Sequence, residues 1–343
     1  MRRAARASYA VPPPSPSRDV ALPQGNMLHT LAITGPIYLV IALGYMAGRF
    51  GVFSKTDMRV LGTFVIKFAL PALVFTALSQ QPVRDILHVR FLLDYALGSL
   101  VVMFIAFAWG WWHQGKSFSL SAMSGLGMSS SNSGYIGFPI AAQVLGPDLA
   151  AVALAMCMVI ENLIMIPLAL VMADSGIAGA GPWRRSLLHS LAQMPRNPVI
   201  LAIVAGFGVA ALEVPVSGTL SRTINMLALS STAVALFVIG GSLVGLTTRG
   251  MKRDVSAIAL GKLVLHPLAV GVLVWLVPPD DPTLRVAAVL YASMPMLSIY
   301  PILAQKYHFE GFAAAALLLT TVLSFFTISA SLWMVQSVLG WAA

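Results

Sequence analysis

Asn132-Ser-Gly-Tyr-Ile-Gly-Phe-Pro139 and Pro295-Met-Leu-Ser-Ile-Tyr-Pro301 each cut a long apolar stretch with helix breakers. These two segments decide the fold. A membrane-spanning helix satisfies its own backbone polar groups. A broken helix does not, and lipid offers no replacement partners. Irregular backbone at membrane depth therefore belongs where protein buries it or a wet cavity faces it. A pair of such breaks in corresponding places of two halves points to the binding site of a transporter.

Composition agrees with a membrane reading. Of 343 residues, 58% are hydrophobic and 10% are charged, against about 25% charged in soluble domains. The formal charge of +9 does not argue for nucleic acid, because the bases fall in short loops between apolar stretches, where they set topology. The single cysteine, Cys157, lies inside an apolar run. It excludes an intrachain disulfide and a cysteine-based metal site. No cofactor is expected.

Ten apolar stretches approach the ~20 residues that a bilayer core requires. They run over 28–50, 60–79, 91–112, 119–145, 148–172, 197–214, 219–246, 254–277, 283–307 and 311–339. The predicted fold is an all-α polytopic membrane protein of ten transmembrane helices. A first five-helix repeat occupies 27–172, a cytoplasmic linker 173–196, and a second five-helix repeat 197–343. Pro36 and Gly44 match Pro198 and Gly206 at an offset of 162, and the same offset carries Pro139 to Pro301. Ala72, Leu73 and Ser79 match Ala235, Leu236 and Ser242 at 163. An odd number of spans per repeat makes the halves inverted relative to each other, with helices 4 and 9 broken and crossing.

Charge orients the chain. If the loop after the first span is cytoplasmic, that side holds Arg49, Lys55, Arg59, Lys116, Arg184, Arg185, Arg196, Arg249, Lys252, Arg253 and Lys306. The other side holds Arg84, Arg90, Arg222 and Arg285. Eleven bases against four is a positive-inside bias that places both termini outside the cell (inner) membrane. Residues 1–26 carry Arg2, Arg3, Arg6 and Arg18 and no apolar core of a signal peptide. A basic tail outside opposes the bias, so the expectation is a disordered tail, with natural translation beginning at Met27.

The fourth stretch holds the polar block Ser129-Ser-Ser-Asn-Ser-Gly134. Gly134 and Gly137 permit non-helical torsions or close backbone approach, and Pro139 removes a donor. A break there leaves a half-helix N-terminus whose free N–H groups and dipole suit an anion. Asn132 and Ser133 are candidates to orient a substrate or hold an ion. The alternative is a helix-packing patch, since small and hydroxylated residues are common at such interfaces. In the ninth stretch Pro295 and Pro301 bracket Ser298 and Tyr300. Together Asn132, Ser133, Gly134, Gly137, Pro139, Pro295, Ser298, Tyr300 and Pro301 form the candidate crossover site.

These residues carry a resemblance. Asn132-x-Gly-x-x-Gly-x-Pro139 resembles the fourth-helix motif of the auxin efflux carrier family. Pro295 with Ala304-Gln-Lys-Tyr307, Arg196-Asn-Pro198 and Phe68-Ala-Leu-Pro71 are similar to further motifs of that family. The likeness covers about 28–340. It implies ten helices in two inverted repeats, related to bile acid–sodium symporters, with a scaffold and a transport domain. It also implies Asn132, Pro139 and Pro301 as crossover residues. The sequence departs from plant members in two ways: their crossover proline lies one residue nearer to the position of Pro295, and their long cytoplasmic loop is absent. Bacterial relatives of this length are described as permeases for small carboxylates such as malate or malonate.

Ionisable residues inside a membrane are costly and functional by default. Lys67, Glu161, Lys262 and His266 lie well inside their stretches. Glu161, beside Asn162, either takes up a coupling proton or cation or pairs with a lysine. Lys67 and Lys262 either offset an anionic substrate or snorkel to an interface. The expected ion-coupling set is Glu161, Asn162, Lys67 and Lys262, with proton or sodium as the coupling ion. His266, before Pro267, reads as a packed core histidine, and Asp94 as interfacial.

The function that follows is a secondary active transporter of small organic anions, mono- or dicarboxylates, working by alternating access. The partners are a small carboxylate and the lipid bilayer, with a homodimer as a candidate assembly. The alternatives are a sodium-coupled symporter of the bile acid type, a channel, or a non-transporting receptor. Membrane-protease strings, zinc-like spacing and a P-loop are absent from the sequence, which argues against an enzyme.

Overall fold

The computed structural model describes residues 27–80, 87–177, 188, 192, 194–245 and 252–338. The tail 1–26 and most of the linker 173–196, with Arg184 and Arg185, lie outside these residues, as do Arg84 and Arg249. Among the described residues the ordered elements are helical and no strand forms. The helices are α1 (Met27–Arg49), α2 (Lys55–Ser79), α3 (Val89–His113), α4 (Phe118–Ser129), α5 (Phe138–Leu145) and α6 (Pro147–Ser175). They continue with α7 (Pro198–Ala211), α8 (Gly218–Ser242), α9 (Arg253–Leu276), α10 (Pro282–Ala292), α11 (Tyr300–Gln305) and α12 (Glu310–Val338).

Among the described residues six helices are long and apolar enough to cross a membrane: α2, α3, α6, α8, α9 and α12. Of the ten expected stretches the fourth and ninth are broken, as expected, and the sixth, expected over 197–214, is corrected to a shorter helix. The fourth stretch divides into α4 and α5, the ninth into α10 and α11, and α7 has only 14 residues. In the fourth stretch helix stops at Ser129, and Ser130, Ser131 and Asn132 are not helical. In the ninth the break contains Pro295. α7 starts at Pro198 as expected and ends early, at Ala211. Asn197 caps α7 by accepting a hydrogen bond from the Val199 amide at 3.0 Å. Large apolar side chains such as Leu39, Trp112, Trp275 and Phe326 point outward, as a lipid-facing surface requires.

Two close helix pairs organise one side of the bundle. α1 packs on α8, and α7 packs on α2. A Cβ on Gly44 would lie 2.0 Å from the Phe237 carbonyl oxygen, and one on Gly240 would lie 1.8 Å from the Ile41 carbonyl oxygen. Only glycine lets these backbones touch. In the second pair, a Cβ on Gly206 would lie 3.2 Å from the Phe75 carbonyl oxygen. The offset of 162 carries Gly44 to Gly206, and the offset of 163 read for the second span carries Phe75 to Val238, the neighbour of Phe237. The offsets read in the sequence thus exchange the two contacts to within one residue.

Five π turns interrupt the helices among the described residues: Val65–Ala69, Trp109–His113, Ser133–Gly137, Glu161–Met165 and Gly261–Leu265. In four of them proline follows two residues after the turn, as Pro71, Pro139, Pro167 and Pro267. The physical reason is shared. Proline cannot donate to the carbonyl four residues back and its ring crowds that carbonyl. The residue before it bonds five back instead: Leu70 to Val65, Phe138 to Ser133, Ile166 to Glu161 and His266 to Gly261. Such bulges re-aim side chains and concentrate at functional sites. Lys67, Glu161 and Lys262 all stand in them.

Candidate functional site

The two interruptions meet through their backbones. Ser131 and Met296 form an isolated antiparallel bridge, and the Asn132 amide donates to the Pro295 carbonyl at 2.8 Å. Residues 130–132 are not helical, with Ser130 extended at φ −117°, ψ 136°. Helix resumes at Ser133. The first bonds of that turn run from the Ile136 and Gly137 amides to the Asn132 carbonyl, at 3.2 and 2.9 Å. The amides of Ser133, Gly134 and Tyr135 precede them, so they have no partner within the helix.

Gly134 and Gly137 are present for packing rather than for unusual torsion. Gly137 is helical, at φ −61°. A Cβ there would lie 2.9 Å from the Tyr291 ring, and one on Gly134 would lie 2.9 Å from Leu70.

A buried polar network braces the meeting point. Glu161 Oε1 accepts three hydrogen bonds: from the Ser133 hydroxyl at 2.7 Å, the Tyr95 hydroxyl at 3.0 Å and the Ser131 amide at 3.2 Å. Lys262 Nζ donates to the Ala292 carbonyl at 2.7 Å and to Ser131 Oγ at 2.9 Å, and lies 2.7 Å from His266 Nδ1. Its three donors are thereby engaged. If lysine is the donor to Nδ1, the other ring nitrogen carries the proton and donates to Ser99 Oγ, 2.9 Å away. The cation sits at the last carbonyls of α10, where the helix dipole favours it.

Glu161 and Lys262 form no direct ion pair. Ser131 stands between them, its amide on the carboxylate and its hydroxyl on the ammonium. This corrects both alternatives for Glu161 and Lys262 that rest on direct pairing or on snorkelling. Both are buried, and each is satisfied by the interrupted helices.

Beside the network lies a cavity of about 120 Å³. Asn132, Ser133, Gly134, Glu161, Asn162 and Ser298 line it, with Asn197 and the apolar Ile66, Leu70 and Leu297. Two polar atoms there have no protein partner: Asn132 Nδ2 and Ser298 Oγ. Asn162 is held in place, donating to the Met158 carbonyl at 2.8 Å and accepting from Asn197 at 3.1 Å. The cavity therefore offers an uncommitted amide donor, an uncommitted hydroxyl and a half-helix N-terminus, with one carboxylate whose Oε1 is already occupied.

The remaining expected residues stand elsewhere. Pro139 and Pro295 are buried in the backbone framework and do not line the cavity. Pro301 is half-buried at the start of α11. Tyr300 is a packing residue: its hydroxyl donates to the Met123 carbonyl at 2.9 Å, and its ring lies against Gly127. Lys67 is exposed and stands apart from the network. Asp94 is buried, at 2% exposure, with Oδ2 unpartnered. His266 belongs to the polar network rather than to apolar packing.

The structure adds Tyr95, Ser99 and Asn197. Tyr95 and Ser99 are four residues apart in an apolar stretch, so they share a helix face. That spacing was a visible signal, with nothing in the sequence to show which face it was.

Residues 32–180 and 183–334 match the family model described as "Membrane transport protein". A protein of Rhizobium meliloti (strain 1021) named "Putative malonate transporter" is 32% identical over 320 residues, covering 89% of this chain and 96% of that protein. One of Escherichia coli (strain K12) named "Uncharacterized transporter YfdV" is 28% identical over 311 residues, covering 88% and 96%. "Auxin efflux carrier component 8" of Arabidopsis thaliana is 27% identical over 162 residues, 46% of this chain and 44% of that one.

Proposed function

The chain belongs to the membrane transport protein family and is an integral membrane transporter, and on that premise we propose that it is a secondary active carrier of small organic anions, mono- or dicarboxylates such as malonate or malate. The substrate binds in the cavity at the meeting of the two interrupted helices, and alternating access exposes that cavity to each side in turn. One observation carries the reading: Asn132 and Ser298 line the cavity, and Asn132 Nδ2 and Ser298 Oγ are buried without a protein partner. Buried polar atoms are ordinarily hydrogen-bonded, so these two await a ligand with acceptors. The half-helix N-terminus at Ser133 adds positive potential for an anion. The relative named as a malonate transporter supports the choice of a small carboxylate.

Size bears on the alternative of a bile-acid-type substrate. The cavity of about 120 Å³ is close to the ~150 Å³ cavity that holds a benzene molecule. It falls below the ~300 Å³ at which sites for larger ligands begin. A small carboxylate fits this scale and a steroid does not.

The architecture we propose is two inverted five-helix repeats, with the fourth and ninth helices crossing at Ser131 and Met296. The Gly44–Phe237 and Gly206–Phe75 contacts, exchanged to within one residue by the offsets of 162 and 163, support it. The base-rich side is cytoplasmic, in the cell (inner) membrane, with both termini outside.

Purified protein in liposomes should take up malonate saturably. Asn132→Ala should abolish most of that flux at an unchanged melting temperature, since its Nδ2 donates to no protein group. Full flux in that variant would remove the site. Replacement of sodium by potassium should leave the rate unchanged. A sodium requirement would favour the symporter alternative.

A further inference from the structure

A second cavity of about 320 Å³ adjoins the first. The two share Ile66, Tyr135, Ser298 and Ile299 as lining residues. Ser298, whose Oγ has no protein partner, therefore lines both. Tyr135 marks the boundary, its hydroxyl donating to the Gly62 carbonyl of α2 at 3.1 Å. The outer cavity is also lined by Lys55 and Arg59 and by no acidic residue. Asp57, the nearest acid in sequence, is engaged by the Ser54 amide and hydroxyl, each at 2.8 Å. Neither Lys55 nor Arg59 forms an ion pair among the described residues.

Local structure does not call for cations here. Lys55 is the first residue of α2, and the helix dipole disfavours a positive charge at that end. Topology would be served equally by bases anywhere on this side of the membrane. What is particular is their placement, at the lining of a chamber that shares four lining residues with the central cavity.

We infer that Lys55 and Arg59 form a cationic vestibule, a recruitment site for carboxylates on the base-rich face that passes them to Asn132 and Ser298. This rests on the carrier reading above and adds a side, a route and two specificity residues to it. On this reading the central cavity is reached from the base-rich face. The chamber on the other face, lined by Asp148, Arg222 and Asn225, shares no lining residue with the central cavity.

The expected effect follows from Coulomb's law. Two cations about 10 Å from a divalent anion at high dielectric enrich it about seven-fold at ~10 mM ionic strength, about two-fold at ~0.15 M and negligibly at ~1 M. The test is initial-rate uptake of radiolabelled malonate into inside-out membrane vesicles, corrected for vesicles without the protein. Wild type, K55Q/R59Q and K55R/R59K are compared across that salt range.

The vestibule predicts a KM raised several-fold in K55Q/R59Q at low salt, a maximal rate within two-fold, and convergence with wild type at high salt. The charge-conserving K55R/R59K should keep the wild-type KM throughout. A wild-type KM in K55Q/R59Q at low salt would overturn the vestibule and leave the carrier reading standing. So would a defect that persists equally at high salt. Absence of saturable malonate uptake by the wild type would overturn both.

Discussion

Replacing Glu161 separates two roles of one buried carboxylate. Its Oε1 takes three donors, from Tyr95, Ser131 and Ser133, and two of those groups belong to the interruption in the fourth stretch. Glu161→Gln keeps the shape and the acceptor. It exchanges three charge-assisted hydrogen bonds for neutral ones, a loss of about 1 kcal/mol each, or about 3 kcal/mol in all. A neutral amide also escapes the several kcal/mol of desolvation that a buried charge carries. The two effects oppose, and the net change should stay below about 2 kcal/mol. Glu161→Leu strands all three donors in a dry site, at about 1–3 kcal/mol each. The sum of about 3–9 kcal/mol is a large part of the 5–15 kcal/mol that holds a typical protein folded.

The assay is built into the chain. Cys157 is the only cysteine, is fully buried, and lies one helical turn before Glu161. A fluorogenic maleimide in a thermal ramp therefore reports opening of this very region. Glu161→Gln should melt within a few degrees of wild type. Glu161→Leu should expose Cys157 far earlier, or fail to accumulate. If Glu161→Leu protects Cys157 as well as wild type does, the carboxylate does not hold the interrupted helix, and the argument from its three donors is wrong.

Other outcomes follow from the same geometry. Pro139→Ala restores an N–H that can bond the Tyr135 carbonyl and wind the π turn of Ser133–Gly137 into α-helix. Malonate flux in liposomes should fall with no loss of melting temperature, because the shift re-aims Asn132. Gly240→Ala forces a Cβ to 1.8 Å from the Ile41 carbonyl oxygen, so α1 and α8 must separate. A cost above about 3 kcal/mol should appear as a lowered melting temperature, whereas Gly208→Ala, with nothing within 4 Å, should not change it. Lys67→Gln, at an exposed position, should leave malonate uptake within two-fold of wild type.

The π turn at Ser133–Gly137 was legible because proline acts locally: Pro139 sets its own φ and removes its own donor whatever surrounds it. The non-helical Ser130, Ser131 and Asn132 contain no proline or glycine, and what holds them is the pairing with Pro295 and Met296. The composition and the offset of 162 were legible for a similar reason, since each is a property of the chain order itself. Glu161 and Lys262 were visible as buried charges, but their partners were not. The sequence suggested that they meet, and the structure puts Ser131 between them. Tyr300 sat inside a conspicuous motif and serves packing against Gly127. Asn197, part of a motif at the start of α7, steadies Asn162 across 35 positions.

By itself the sequence determined that this chain is helical, membrane-embedded and broken in its fourth and ninth apolar stretches, because backbone torsion and transfer to lipid depend on each residue and its near neighbours. The tertiary structure decided which polar atoms are spent and which are left for a ligand. Asn132 Nδ2 is uncommitted while Glu161 Oε1 and Lys262 Nζ are saturated, and that difference arises from hydrogen bonds between segments up to 131 positions apart. A hydrogen bond requires its partners within about 3 Å, and only the packed fold brings such distant residues to that range.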